Sequence, residues 1–276
     1  MRLRNYFAAM FAALFFTGAS VASAALTPIA VTWNPSGAGI STAGPFTFND
    51  VVLNTYANID LTGGGTAFTE QGFLRLSVFN LSGVPTSIPT AGFPSGTPYS
   101  LYISFNAAGT QTAGIPSTGQ FTSLTYSLLG ASGVTIFTPN ASGVFSAAGN
   151  PAVTLATGSL LSPGTTALTV DPATGLLLPA AQLTASFNAN PAFSAFFVTP
   201  PASAALTVTA AFTNTGTLIT QIPLGGGNTR LSLNGGGGNA TFALTPVPEP
   251  DTYGMLLAGL GLFGFVARRK AKRTAA

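Results

Sequence analysis

The sequence predicts an all-β chain: an antiparallel β-sandwich or jelly-roll-like body with an N-terminal signal helix and a C-terminal transmembrane helix. Three observations predict it. Short blocks alternate apolar and polar residues with period two, which places every second side chain on one face of a sheet. The 276 residues include 33 glycines and 20 prolines, a turn-rich composition that interrupts those blocks at short intervals. The body holds no apolar run with a helical period of useful length, whereas both termini carry an apolar stretch beside basic residues. The chain therefore divides into a signal peptide at 1–24, a sandwich body at 25–245 and a sorting and anchor segment at 246–276.

At the N-terminus, Arg2 and Arg4 precede an apolar run from Tyr6 to Phe16, and Ala22-Ser23-Ala24 supplies the small residues of a cleavage site, with Ala22 and Ala24 as its key pair. The run is about 11 residues, too short for the roughly 20 that span a bilayer as helix. The mature chain is thus expected outside the cytoplasm. It has no cysteine, so its folding relies on no disulfide.

In the body, strands are expected over 46–53, 74–78, 99–105, 123–128, 134–137, 153–155, 183–187, 206–212, 230–233 and 241–244. In the third of these, Leu101, Ile103 and Phe105 share one face and Ser100, Tyr102 and Ser104 the other. The glycine runs 225–227 and 235–238 are expected as tight turns around the short strand 230–233. This spacing points to a sandwich or jelly roll. An outer-membrane barrel also alternates with period two, but blocks of mostly about 5–7 residues fall short of the roughly 10 it needs. A basic C-terminal anchor also addresses the cytoplasmic membrane rather than the outer one.

Charge and chemistry exclude several function classes. The chain has 9 basic and 6 acidic residues, no histidine and no cysteine, which removes imidazole bases, His-centred triads, thiolate nucleophiles and Cys/His metal sites. The basic excess sits at the ends, and between 25 and 247 only Arg75 and Arg230 face Asp50, Asp60, Glu70 and Asp171. No basic face for nucleic acid follows. The glycine runs lack the lysine and following helix of a phosphate loop.

The C-terminus has three parts in order. Val247-Pro248-Glu249-Pro250 is held extended by its prolines and stays open to a peptide-cleaving enzyme. An apolar stretch from Tyr253 to Ala267 follows, thinned by Gly254, Gly259, Gly261 and Gly264. Arg268, Arg269 and Lys270, with Lys272 and Arg273, then stop export and hold the tail on the cytoplasmic side. At these residues the chain resembles the PEP-CTERM sorting signal of Gram-negative bacteria. The resemblance implies recognition of Pro248, Glu249 and Pro250 by an exosortase, an integral-membrane cysteine transpeptidase, and an anchor closed by Arg268 and Arg269. Asp251 departs from the more usual serine or alanine. Segments 68–73, 99–110 and 119–124 resemble the flocculation-associated PEP-CTERM proteins, which implies a secreted matrix protein that acts with exopolysaccharide to hold cells in flocs.

Within the body, Trp33, Tyr56, Tyr99, Tyr102 and Tyr126 are candidates for stacking on sugar rings, with Trp33 and Tyr102 the leading glycan contacts. Tyr102 lies opposite in phase to Leu101 and Ile103, which places it outward if they face the core. Asp50, Asp60, Glu70 and Asp171 offer the one catalytic device still open, a carboxylate pair acting on polysaccharide, but their positions read better as turn and strand-end residues. No catalytic residue, metal ligand or cofactor is assigned. The expected protein is therefore exported, exosortase-processed and non-enzymatic. It is anchored transiently in the cytoplasmic membrane, then placed at the surface or in the matrix, with exopolysaccharide as partner and self-association as the alternative contact.

Overall fold

Period-two alternation continues well beyond the blocks that stand out in the sequence, and the strands are correspondingly long. The computed structural model describes residues 26–87, 98–214 and 219–245. The expected signal helix with Ala22 and Ala24, and the sorting and anchor segment with Pro248, Glu249, Pro250, Arg268, Arg269 and Lys270, lie outside the described residues. No helix among the described residues is long and apolar enough to cross a membrane.

The strands are, in chain order, β1 (Val31–Trp33), β2 (Phe46–Phe48), β3 (Asp50–Thr62), β4 (Ala67–Leu81), β5 (Val84–Ser87), β6 (Tyr99–Gln111), β7 (Ser117–Ser132), β8 (Ile136–Pro139), β9 (Phe145–Ala148), β10 (Ala152–Val170), β11 (Leu177–Ala189), β12 (Phe197–Thr199), β13 (Leu206–Thr213), β14 (Ile219–Gly225) and β15 (Asn228–Leu244). Eight of them, β3, β4, β6, β7, β10, β11, β13 and β15, pair antiparallel in that order, and β15 pairs back onto β3 from Thr229↔Leu61 to Thr241↔Asp50. The sheet closes on itself. The body is an eight-stranded up-and-down barrel, which corrects the expected sandwich or jelly roll.

Two misreadings produce that correction. Residues 230–233 and 241–244 are not two strands joined by a turn but parts of the single 17-residue β15. In the run 235–238 only Gly235 takes a left-handed φ, of 93°, at the bulge between Asn234 and Gly236. Gly236 itself is needed for close approach, because a Cβ there would overlap the side-chain amide of Asn214. The run 225–227 does form the tight turn between β14 and β15, whereas the run 235–238 lies within a strand where a curved wall packs tightly.

Barrel closure fixes which face of each strand is buried. On β3, Val51, Leu53, Ala57, Ile59 and Leu61 turn toward the core while Asn54 and Asp60 face out. On β13, Val208 and Ala210 are buried and Thr209 is exposed. An apolar lumen and a Thr/Ser/Asn exterior reverse the arrangement of a transmembrane barrel, whose outer band is apolar and interior polar.

One barrel end is filled by aromatic rings. A small sheet ordered β12-β1-β2 brings Trp33 against Phe48 at 4.7 Å, Phe196 at 5.3 Å, Phe242 at 5.6 Å and Phe79 at 5.8 Å between ring centroids. Several pairs are edge-to-face, the geometry that ring quadrupoles favour. At the opposite end Leu168, Leu177, Leu231 and Leu233 form a smaller buried cluster.

Candidate functional site

The barrel encloses a cavity of about 120 Å³. Its walls come from alternate residues of the strands, so they are mostly Val, Leu, Ile, Phe and Ala. Besides Trp33 and Tyr126, only Thr55, Glu70, Gln111, Thr166 and Asn214 bring polar side-chain atoms to this lining. They are unevenly placed. The aromatic end holds Trp33, Phe187 and Phe242. Glu70 stands three residues from the start of β4, Gln111 ends β6, Thr166 lies near the end of β10 and Asn214 follows β13, all toward the other end.

Most of these polar groups lack partners. The Gln111 side chain donates to the Gly65 carbonyl at 3.0 Å. Thr55 Oγ1, Thr166 Oγ1 and Asn214 Oδ1 are buried with no hydrogen bond, and Glu70 has no hydrogen-bond or ionic partner among the described residues. Burial alone pushes the Glu70 carboxyl up to about 7 from 4.5, because an anion there gives up hydration without gaining a donor. Tyr126 donates its hydroxyl to the Ser186 carbonyl at 2.7 Å, and burial pushes its phenol up, so it stays protonated.

The outer wall carries a second feature, a polar trough over β3, β4, β6 and β7 lined by Asp60, Thr69, Gln71, Asn106, Ser123 and Thr125, with Glu70, Ala107 and Ala108 also bordering it. Register aligns its side chains in rows. Gln71 pairs with Asn106, Asn106 with Thr125 and Thr125 with Ser159, and all four are exposed. A second row runs Asp60, Thr69, Ala108 and Ser123. Adjacent strands lie about 4.8 Å apart, so the surface is a regular lattice of short uncharged donors and acceptors.

Both arginines of the body are occupied in holding a hairpin against this wall. Arg230 forms a two-pronged pair with Asp60, with both contacts at 2.6 Å, and donates to the Ser142 carbonyl at 2.8 Å. Arg75 donates to the Thr135 carbonyl at 2.8 Å and lies over the rings of Tyr56 and Phe137 at 5.3 and 5.2 Å. The β8–β9 hairpin thus covers the outer faces of β3, β4 and β6.

That cover removes the expected sugar-stacking residues. Tyr102 does point out of the barrel, as its phase predicted, but Phe137 packs edge-on at 5.3 Å and leaves it 6% exposed. Trp33 is 2% exposed inside the aromatic end, and Tyr99 is 1% exposed. Tyr56 is stacked on Phe137 at 5.0 Å. Neither Trp33 nor Tyr102 presents a ring face for a pyranose.

The carboxylates are likewise separated. Asp50 accepts from the side chains of Asn80 and Asn239, and Asp171 caps the β10–β11 turn through Ala173 and Thr174. Asp60 and Glu70 sit one register step apart on β3 and β4 but on opposite sides of the wall. No cluster of three or more acidic residues suited to a metal ion occurs among the described residues.

Glu70 is the residue that reading the sequence misplaced. Its parity carried the signal, since Phe68, Glu70, Leu74 and Leu76 all occupy even positions of one strand. Asn214 had no such signal, because its inward position depends on where β13 ends against β15.

Residues 246–270 match the family model described as the PEP-CTERM protein-sorting motif. Comparison of the chain with curated proteins and with solved structures gives no match. The motif implies an exported protein that is membrane-anchored and then located at the surface, with exosortase as its processing partner.

Proposed function

The chain carries a PEP-CTERM sorting motif, and from that premise we propose that it is an exosortase-processed extracellular matrix or surface protein supporting exopolysaccharide-associated cell aggregation, in flocs or biofilm. The sorting motif is the observation that carries this reading. The barrel exterior supports it: the rows through Gln71, Asn106, Thr125 and Ser159 offer repeated uncharged hydrogen-bonding groups to a polymer whose hydroxyls also repeat. Each such bond contributes about 1 kcal/mol at most, so affinity arises from many contacts along one chain and from many protein copies.

The protein acts in this reading without catalysis. A polysaccharide-acting enzyme with a carboxylate pair would need two acidic groups facing one substrate, whereas Asp60 is paired with Arg230 outside and Glu70 faces the lumen. The resemblance of segments 68–73, 99–110 and 119–124 to flocculation-associated proteins points the same way.

The test is retention of the native protein on exopolysaccharide from its own cells. The combined variant Gln71→Ala, Asn106→Ala, Thr125→Ala should bind roughly tenfold or more weakly with an unchanged fold, from the loss of three hydrogen bonds. Equal retention of variant and wild type would remove the lattice from the account. A strain lacking the protein that settles and aggregates normally would remove the matrix function altogether. Binding between protein copies without polysaccharide would favour self-association instead.

A further inference from the structure

We propose that the barrel lumen is a binding site for a slender apolar molecule with a hydrogen-bond-donating head, an aliphatic amine or alcohol. This goes beyond the surface role and rests on none of its assumptions.

Three features of the lumen select that class. Its size is the first: a space of about 120 Å³ bounded by apolar side chains is of the order of apolar cavities that take up a small hydrocarbon. Its gradient is the second. The end bearing Trp33, Phe187 and Phe242 suits an alkyl tail, and the end bearing Glu70, Thr166 and Asn214 suits a polar head. The third is the kind of polar atom left over. Glu70 presents carboxyl oxygens, Thr55 and Thr166 present unbonded hydroxyls, and the Asn214 amide presents an unbonded oxygen. A buried polar group without a partner has lost its hydration with nothing in exchange, so a ligand that supplies the missing partner recovers that cost. The Glu70 oxygens and the Asn214 oxygen are acceptors and the threonine hydroxyls serve as either partner, so the set takes an amine or hydroxyl head, while ionised Glu70 repels a carboxylate.

The lining also indicates how the site responds to pH. Glu70 and Tyr126 are its titratable side chains, and the Asp60–Arg230 pair lies across the wall. Burial holds the Glu70 proton up to about pH 7, and a cationic head would draw the carboxylate into its charged form.

The single tryptophan of the chain provides the readout, since Trp33 borders the cavity. Hexylamine, 1-hexanol and hexanoate are titrated at pH 8 into the protein purified from its producing cells, with Trp33 fluorescence followed. The amine and the alcohol should give saturable changes with Kd below about 1 mM, and hexanoate should bind at least tenfold more weakly. Glu70→Gln should weaken hexylamine about tenfold or more while changing hexanol less than about threefold, because only the cation loses a charged partner. Ala181 lies opposite Thr166 in the β10–β11 register and keeps accessible surface toward the lumen, so Ala181→Leu should abolish both. The site is refuted if neither probe saturates the wild type, if hexanoate matches hexylamine, or if Glu70→Gln leaves hexylamine binding unchanged. It is equally refuted if a folded Ala181→Leu protein binds like the parent. Should that variant fail to fold, the Glu70→Gln comparison decides.

Discussion

Glu70 is a carboxylate that the fold penalises, and the sign of its effect follows from proton linkage. Folding raises its pKa from 4.5 to about 7, so between those values the folded chain keeps a proton that the unfolded chain releases. Stability is therefore fullest below pH 4.5 with respect to this group and is lost as pH rises to about 7, by about 3 kcal/mol in all. Asp171 acts in the opposite direction: hydrogen bonds from the Ala173 amide and the Thr174 hydroxyl lower its pKa, and their benefit is lost only in acid. Urea midpoints at pH 5 and pH 8 should show the wild type weaker at pH 8. Glu70→Gln should flatten that difference and raise the pH 8 stability by about 3 kcal/mol; a variant no more stable than wild type at pH 8 would show that Glu70 titrates normally. The parity of Glu70 was visible in the sequence, but its isolation was not, because solitude depends on which ten or so residues from other strands surround a position.

The β8–β9 hairpin shows at the level of the element how local pattern and tertiary cover diverge. Phe137 and Phe145 are buried not in the barrel but on its outside, where Phe137 meets Phe73 at 5.1 Å, Tyr56 at 5.0 Å and Tyr102 at 5.3 Å. Alternation alone assigns outward residues to solvent, so Tyr102 reads as exposed until a separate segment is found to lie over it. Phe137→Ala should cost about 3–5 kcal/mol of the local packing. The hairpin is an excursion between β7 and β10, so the loss should be felt there first: limited proteolysis should cut within 136–148 much faster than in wild type while the barrel core stays protected. Uniform digestion of the whole chain would mean that the hairpin and barrel unfold together. Other elements were legible in place but not in length. Residues 153–155 were read as a strand, yet β10 runs 19 residues from Ala152 to Val170. Pro163 and Gly164 interrupt its apolar pattern where the register with β7 and β11 shifts, and bulges of that kind bend a strand without ending it.

At the level of the whole molecule, sorting and folding are carried by separate stretches of chain. The motif at 246–270 is a short linear signal, so its handling follows from residue identity and should be testable by mass alone. Cleavage near Ala24 and near Pro248-Glu249-Pro250 should leave a mature chain lacking both termini; a native protein that retains its C-terminal basic cluster at the cell surface would rule out exosortase processing. The sorting signal and the all-β class were readable directly, since each depends on neighbours within a few residues: two prolines around a glutamate, an apolar stretch before arginines, alternating side chains on a pleat. Closure was not. Whether long antiparallel strands stack as two layers or curl into one depends on the pairing of the last barrel strand, β15, with the first, β3, whose partners Asp50 and Thr241 are far apart in sequence, and on glycines such as Gly236 that let neighbouring side chains press against the wall. Those contacts carry no local signature, because pairing energy accrues only when distant segments meet. The lumen and its unpartnered Glu70 exist only after the ring has closed.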